Sequence, residues 1–258
     1  MSALRKRVQP ELSDATLLLA FTGWNDAGES ASLAADWVAE ALGAAPLAHL
    51  EADGFLDLTV QRPQVRIDEA GVRRVEWPSF DFRFGTIADG RDLVVGSGPE
   101  PHLHWRAFCD LLSDYARELA VRRVVLLGAY LADVVYSRPV AVSGFATQAA
   151  WLGELAVQPS RYEGPTGIVG ILGERFQEDG LDVLSLWAGL PHYINAQPNP
   201  RGALALVQKL VSCLDLKLDI DPLGQQAAEF EQQINEMVAS DPELTEYVRQ
   251  LKRREFAQ

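Results

Sequence analysis

Cysteine is nearly absent from this 258-residue chain, which has only Cys109 and Cys213, far apart and each inside an apparent helix. Two such thiols make neither a disulfide framework nor a zinc pattern. No apolar run approaches the roughly 18–20 residues needed to cross a bilayer. Arg5, Lys6 and Arg7 are not followed by an apolar core and a small-residue cleavage site, so no signal peptide is expected. The expected compartment is the cytoplasm. Basic residues are in deficit, 23 against 36 acidic ones, for a formal charge of −13. Such a chain repels phosphate backbones and anionic lipid, which argues against nucleic-acid or membrane partners. Also missing are the G-x-S-x-G elbow of serine hydrolases and the HExxH and CxxC metal signatures.

What is present is the composition of a folded protein, 48% apolar and 23% charged. The length fits one large domain, or one domain with an appendage. Residues 16–21 (TLLLAF) and 122–127 (RRVVLL) read as strands buried on both faces, and 47–51, 92–95 and 183–187 as further strands. Helical periodicity marks residues 30–42, 103–119 and 145–155, and a helix capped by Asn199 with Pro200 at its first position. Between 57 and 91 the texture is short β segments. A hairpin pairs 65–67 with 72–77 around Gly71, and 80–84 alternates as a strand with one apolar face. Alternating strands and helices predict a three-layer α/β sandwich around a mixed, mostly parallel sheet, with the hairpin as an antiparallel insertion.

The tail differs in pattern. Leu223, Ala227, Phe230, Ile234 and Met237 or Val238 recur at helical spacing. Asp241 and Pro242 then suit the cap and first position of a second helix carrying Leu244, Tyr247 or Val248, and Leu251. The expected division is a body of residues 1–218 and a C-terminal helical hairpin of 219–258. Its apolar stripe must bury against the body or another subunit.

The segment Gly23-Trp24-Asn25-Asp26-Ala27-Gly28-Glu29-Ser30 follows a buried strand, opens a helix and has the glycine spacing of a phosphate loop. Glu29 stands where that motif needs lysine. Two carboxylates, Asp26 and Glu29, oppose a helix N-terminus worth only about half a positive charge, so nucleotide triphosphate binding is not expected. Asp26 to Glu29 also fits a capping box, with Asp26 accepting from the Glu29 amide and Glu29 reaching back. A small-ligand or partner-contact role remains open, because ligands collect at the carboxyl ends of strands in open α/β sheets.

His102 and His104 lie in a proline-rich entry to a helix, with only His49 and His192 besides, so helix-entry histidines are expected and no metal. No cofactor and no catalytic residue is assigned. Arg138-Pro139 and Leu190-Pro191-His192-Tyr193, near strand ends, could line a cleft or simply turn the chain.

Several segments in order resemble the proteasome assembly chaperone 2 family in its bacterial, actinobacterial-looking branch. They are residues 23–29, Trp105-Arg106 after the 98–101 turn, 127–134, Arg138-Pro139-Val140, 162–168 and 186–193. The likeness covers most of residues 15–215. It implies a phosphorylase/hydrolase-like α/β fold and self-association, with a trimer as the expected state. It also implies kinship with eukaryotic assembly chaperones that catalyse nothing. Some archaeal relatives end in a hydrophobic-Tyr-any tripeptide that docks on proteasome rings. This chain ends Phe256-Ala257-Gln258, a departure at the tyrosine that counts against docking through the tail.

Two functions follow as expectations. The first is a non-enzymatic, homo-oligomeric assembly factor, with Trp24 or the helical hairpin as contact surface. The alternative is an enzyme or binder of a nucleoside- or amino-acid-like ligand, held by Asn25, Asp26, Glu100 and Arg138 in a cleft beside residues 23–28. Light scattering and a metabolite screen separate them.

Overall fold

The computed structural model describes residues 4–51 and 54–256, with side chains through Arg254. In chain order the strands are β1 (Leu4–Lys6), β2 (Thr16–Thr22), β3 (Ala45–Glu51), β4 (Gln64–Ile67), β5 (Arg73–Glu76), β6 (Ser79–Thr86), β7 (Asp92–Pro99), β8 (Arg123–Ala132), β9 (Val142–Ala146), β10 (Gln158–Pro159) and β11 (Asp182–Pro191). The helices are α1 (Ser30–Ala41), α2 (Trp105–Glu118), α3 (Ala149–Glu154), α4 (Ile168–Glu178), α5 (Pro200–Leu214), α6 (Asp221–Ser240) and α7 (Pro242–Phe256).

Nine strands form one sheet in the order β1-β3-β6-β7-β2-β8-β11-β9-β10. Its centre, β7-β2-β8-β11, is parallel. β6, β3 and β1 extend one flank antiparallel, and β9 runs antiparallel to β11 on the other. The continuous apolar runs are explained by burial on both sides. Leu18 and Ala20 of β2, with Val125 and Leu127 of β8, face α1 and α5. Leu17, Leu19 and Phe21, with Val124 and Leu126, face α2 and α4. Each strand divides its residues between two cores, as a period of two requires. The second core is aromatic: the Phe21 ring lies 4.8 Å from Phe80 and 6.0 Å from Phe108. Each such ring contributes about 1.5–3 kcal/mol by burial.

Four expectations shift. Residues 145–155 do not form one helix: Val142–Ala146 pairs with β11, alternating buried and exposed side chains, and the helix begins at Ala149. Strand β11 continues past Trp187 to Pro191, because β8 pairs with it throughout. Helix α4 has no counterpart in the sequence reading. In the tail, the sequence suggests a join to the body through Asp219-Ile220-Asp221-Pro222, but Asp221 and Pro222 already lie in the first turn of α6, with the Asp221 amide donating to Asp219.

The tail covers its own stripe. Phe230, Ile234 and Val238 of α6, with Val248 and Leu251 of α7, bury against Val135, Tyr136 and Ile194 of the body, while Met237 faces outward. Asp241 caps α7 as expected, accepting from the amides of Glu243 and Leu244. The tripeptide's Ala257 and Gln258 lie outside the described residues. No helix among the described residues is long and apolar enough to cross a membrane.

Candidate functional site

The carboxyl ends of β2, β7 and β8 meet the amino ends of α1 and α4 at one edge of the sheet, where the 23–29 loop sits. Gly23, at φ 116°, turns the chain out of β2, and its carbonyl accepts from the Asp26 amide at 3.1 Å. Asn25 then returns to the sheet, its carbonyl accepting from the Ala129 amide of β8 at 2.8 Å. The loop thereby becomes an extension of the β2–β8 pairing.

The capping box does not form. Asp26 is buried, and its carboxylate accepts from the amides of Ala31 (2.6 Å) and Ser32 (3.3 Å) and from the Ser32 hydroxyl (2.5 Å). The Glu29 amide donates instead to the Asp26 backbone carbonyl, and the exposed Glu29 side chain makes no cap bond. The cause is a single 3-10 turn, Ala27–Glu29, inserted between cap and helix, in which Gly28 has φ 59°. Asp26 is an N-cap acting two residues deeper than the local spacing predicts. Burial pushes its carboxyl above the usual range, against the pull of the Ser32 and Ala31 hydrogen bonds.

Asn199 on one side and Glu100 on the other fasten this turn. The Asn199 amide donates to the Gly28 carbonyl at 2.7 Å, and the Ser30 hydroxyl donates to the Asn199 carbonyl. Asn199 also caps α5, as expected, through the amides of Arg201 and Gly202. A Cβ on Gly28 would lie 2.9 Å from that of Asn199. On the other side, Asn25 Nδ2 donates to Glu100 Oε1 at 2.6 Å, and the same oxygen accepts from the Ile168 amide at 2.8 Å. Glu100 therefore caps α4 from the end of β7. Its anionic oxygen suits a helix N-terminus whose own flanking residue, Gly167, has no side chain. A Cβ on Gly167 would fall 2.1 Å from Asn25 Oδ1, so the helix approaches this closely only because glycine is there.

The structure brings Asn25, Asp26 and Glu100 together and leaves Arg138 apart. Arg138 is exposed beyond β8, bordering a cleft of about 210 Å³ with Tyr136, Leu190, Ile194, Arg201 and Phe230. Asn199 stands between that cleft and the loop. Trp24, 61% exposed, and Glu29 face solvent at the sheet edge, beside the exposed Tyr130 and Leu131 at the end of β8. Sequence reasoning missed Ser32 and the Gly167-Ile168 entry to α4. A serine six residues beyond Asp26 was the available signal for the first, and nothing local announced the second.

Other chemistry is sparse. His102 and His104 are exposed, and His102 Nδ1 accepts from the Asp57 amide. No group of three or more His, Cys, Asp or Glu among the described residues is placed to hold a metal. Burial pushes the Cys109 thiol up to about 11 and the Cys213 thiol up to about 12, so neither presents a thiolate near neutral pH.

These features define a three-layer α/β protein whose switch-point loop is bonded to its own scaffold. The chain belongs to the PAC2 family, whose model matches residues 20–238. A Mycobacterium tuberculosis proteasome-assembly chaperone homologue is 38% identical, aligned over 90% of this chain and 99% of that one, with a TM-score of 0.82. A PAC2 family protein from Streptomyces avermitilis is also 38% identical, over 91% of this chain and all 100% of its own, at 0.83. An archaeal proteasome activator from Pyrococcus furiosus shares the fold, at 19% identity, over 91% and 97% of the two chains, with a TM-score of 0.72. A search of curated proteins finds no match.

Proposed function

We propose that this chain is a non-enzymatic assembly factor of the cytoplasm that self-associates and acts by protein contact. Its role would be like that named for its mycobacterial relative. One observation carries this reading. At the sheet edge where α/β proteins gather ligands, Asn25, Asp26 and Glu100 are bonded to the loop and helix ends around them. Polar groups so engaged hold a shape, and apart from the buried Asn25 Oδ1 they offer a ligand little to recognise.

The rival ligand-binding reading loses support from the same geometry. Arg138 borders a cleft lined by Asn199, Tyr136 and Phe230, whereas Asn25, Asp26 and Glu100 are not among its lining. Partner contact is assigned to the body surface around Trp24, where Trp24, Tyr130 and Leu131 are exposed together.

Light scattering on the purified chain should give a multiple of the 28.3 kDa chain mass, and three is the value the family resemblance favours. Affinity purification at native expression should recover a protein partner. A strict monomer with no co-purifying protein defeats the proposal. So does a metabolite that raises the melting temperature of the wild type and not of a folded Asp26→Ala variant.

A further inference from the structure

Strands β4 and β5 form a two-stranded ribbon apart from the main sheet, and none of their residues is buried. A lone two-stranded ribbon is marginally stable in water, so one this exposed calls for cover. Its two faces differ. Register pairs Val65 with Val75 and Ile67 with Arg73, so these four share one face. Gln64, Arg66, Arg74 and Glu76 share the other. On that second face the charges neutralise one another, Arg66 pairing with Glu76 at 2.7 Å and Arg74 with Asp68 at 3.0 Å. On the first, Val65, Val75 and the 72% exposed Ile67 surround Arg73, which makes no ion pair among the described residues. That face is apolar with one uncompensated cation.

Charge indicates what covers it. From Val60 to Trp77 the chain has four arginines against Asp68, Glu69 and Glu76, a net of +1. The whole chain carries −13, which leaves −14 on the remainder. The ribbon is thus a basic projection on a strongly acidic molecule, and the acidic surface of another copy offers the complementary charge. Face-to-face pairing of two ribbons would set Arg73 against Arg73, whereas head-to-tail contact sets it against the acidic body. The body offers a match where exposed Trp24, Tyr130 and Leu131 lie beside exposed Glu29, with Asp133 nearby but already 3.1 Å from His192. The Asp26–Ala129 bridge holds the Trp24 and Tyr130 segments side by side.

The geometry points to the β4–β5 ribbon as an arm whose Val65–Ile67–Val75 face docks on the Trp24–Tyr130–Leu131 edge of a second copy of this chain. This rests on the self-association proposed above and assigns its surfaces. A head-to-tail contact of this kind closes into a ring when its rotation permits.

Light scattering on four samples tests it: wild type, Ile67→Glu, Trp24→Lys, and an equal mixture of the two variants. The wild type is expected as a closed oligomer. Each variant, with an unchanged circular dichroism spectrum, is expected at one chain mass. The mixture is expected to form a two-chain complex and nothing larger, because only one intact arm and one intact edge remain to pair. Arg73→Glu, which perturbs less, is expected to weaken self-association at least tenfold. An Ile67→Glu protein that keeps the wild-type mass overturns the arm and leaves self-association standing. A silent mixture overturns the head-to-tail edge. A wild type at one chain mass ends both this assignment and the reading beneath it. Binding of the wild type to phosphatidylglycerol vesicles, lost in Ile67→Glu, would reassign the arm to a lipid surface.

Discussion

The 23–29 loop leads from β2 into α1 and the 60–77 arm carries β4 and β5, and both mix apolar with charged residues. In the loop, Asp26, Asn25 Nδ2 and Glu100 Oε1 bond inside the molecule, Asn25 Oδ1 is buried without a partner, and glycines set the clearances. In the arm the side chains point to water, with Ile67 72% and Trp77 57% exposed. Charge alone does not mark a site. A buried carboxylate with three donors is part of the scaffold, while an exposed valine row with a lone arginine is a surface awaiting a partner.

If the loop is scaffold, damage to it should appear as lost stability. The largest effect is expected from Gly167→Ala, whose methyl would fall 2.1 Å from Asn25 Oδ1. Either α4 retreats and breaks the Glu100 bond to Ile168, or Asn25 leaves Glu100. We expect a loss of about 3 kcal/mol, read by denaturant unfolding. Gly153→Ala is the control, since a Cβ there meets nothing within 4 Å.

Asp26→Ala comes next, with an expected loss of about 2 kcal/mol from three unmade hydrogen bonds. Asp26→Asn keeps the shape and isolates the charge. The Asp26 carboxyl is raised in the folded state, so the folded chain binds its proton more readily than the unfolded one. Its contribution to stability is greatest below the ordinary value of 3.8 and is lost as pH rises from there through the raised value. The wild type should therefore gain on Asp26→Asn as pH falls through that window. Acid titration of paired carboxylates elsewhere cancels in the difference. A constant difference would place the Asp26 carboxylate in water and dissolve the contrast with the arm.

Much of the fold was legible because its signals are local. β2 and β8 declare themselves as apolar runs, Asn199-Pro200 as a cap and Gly71 as a turn. Helix α4 was not, because its cap comes from Glu100, 68 residues away, and its flanking Gly167 carries no signal. The capping box failed for a related reason: Gly28 is held at positive φ against Asn199, a residue 171 positions on, and the inserted turn moves the helix start to Ser30. Of the candidate site, Asn25, Asp26 and Glu100 were grouped from the sequence, but their bonds to each other and to the α1 and α4 amides were not legible there. Arg138 was grouped with them because a sequence does not show that Asn199 intervenes.

Glu100→Gln sharpens the comparison at a smaller scale. An amide oxygen can still accept from Asn25 and Ile168, but without the anionic charge that favours a helix N-terminus. We expect about 1 kcal/mol, with hydrogen exchange quickening first at the amides opening α4. Equal exchange there would mean that Glu100 does not hold the helix.

The arm should give the smallest change in the stability of a single chain. Ile67→Glu removes no buried contact, and exposed substitutions of this kind fall within about 0.5 kcal/mol. The measurement is unfolding at a protein concentration low enough to separate copies, repeated at a high one. At low concentration the variant and the wild type should coincide. At high concentration the wild type alone should gain, since association that favours the folded state raises apparent stability by mass action. A variant already weaker at low concentration would show the ribbon leaning on its own body after all. The distinction between a scaffold loop and a partner-seeking arm would then fail at the arm.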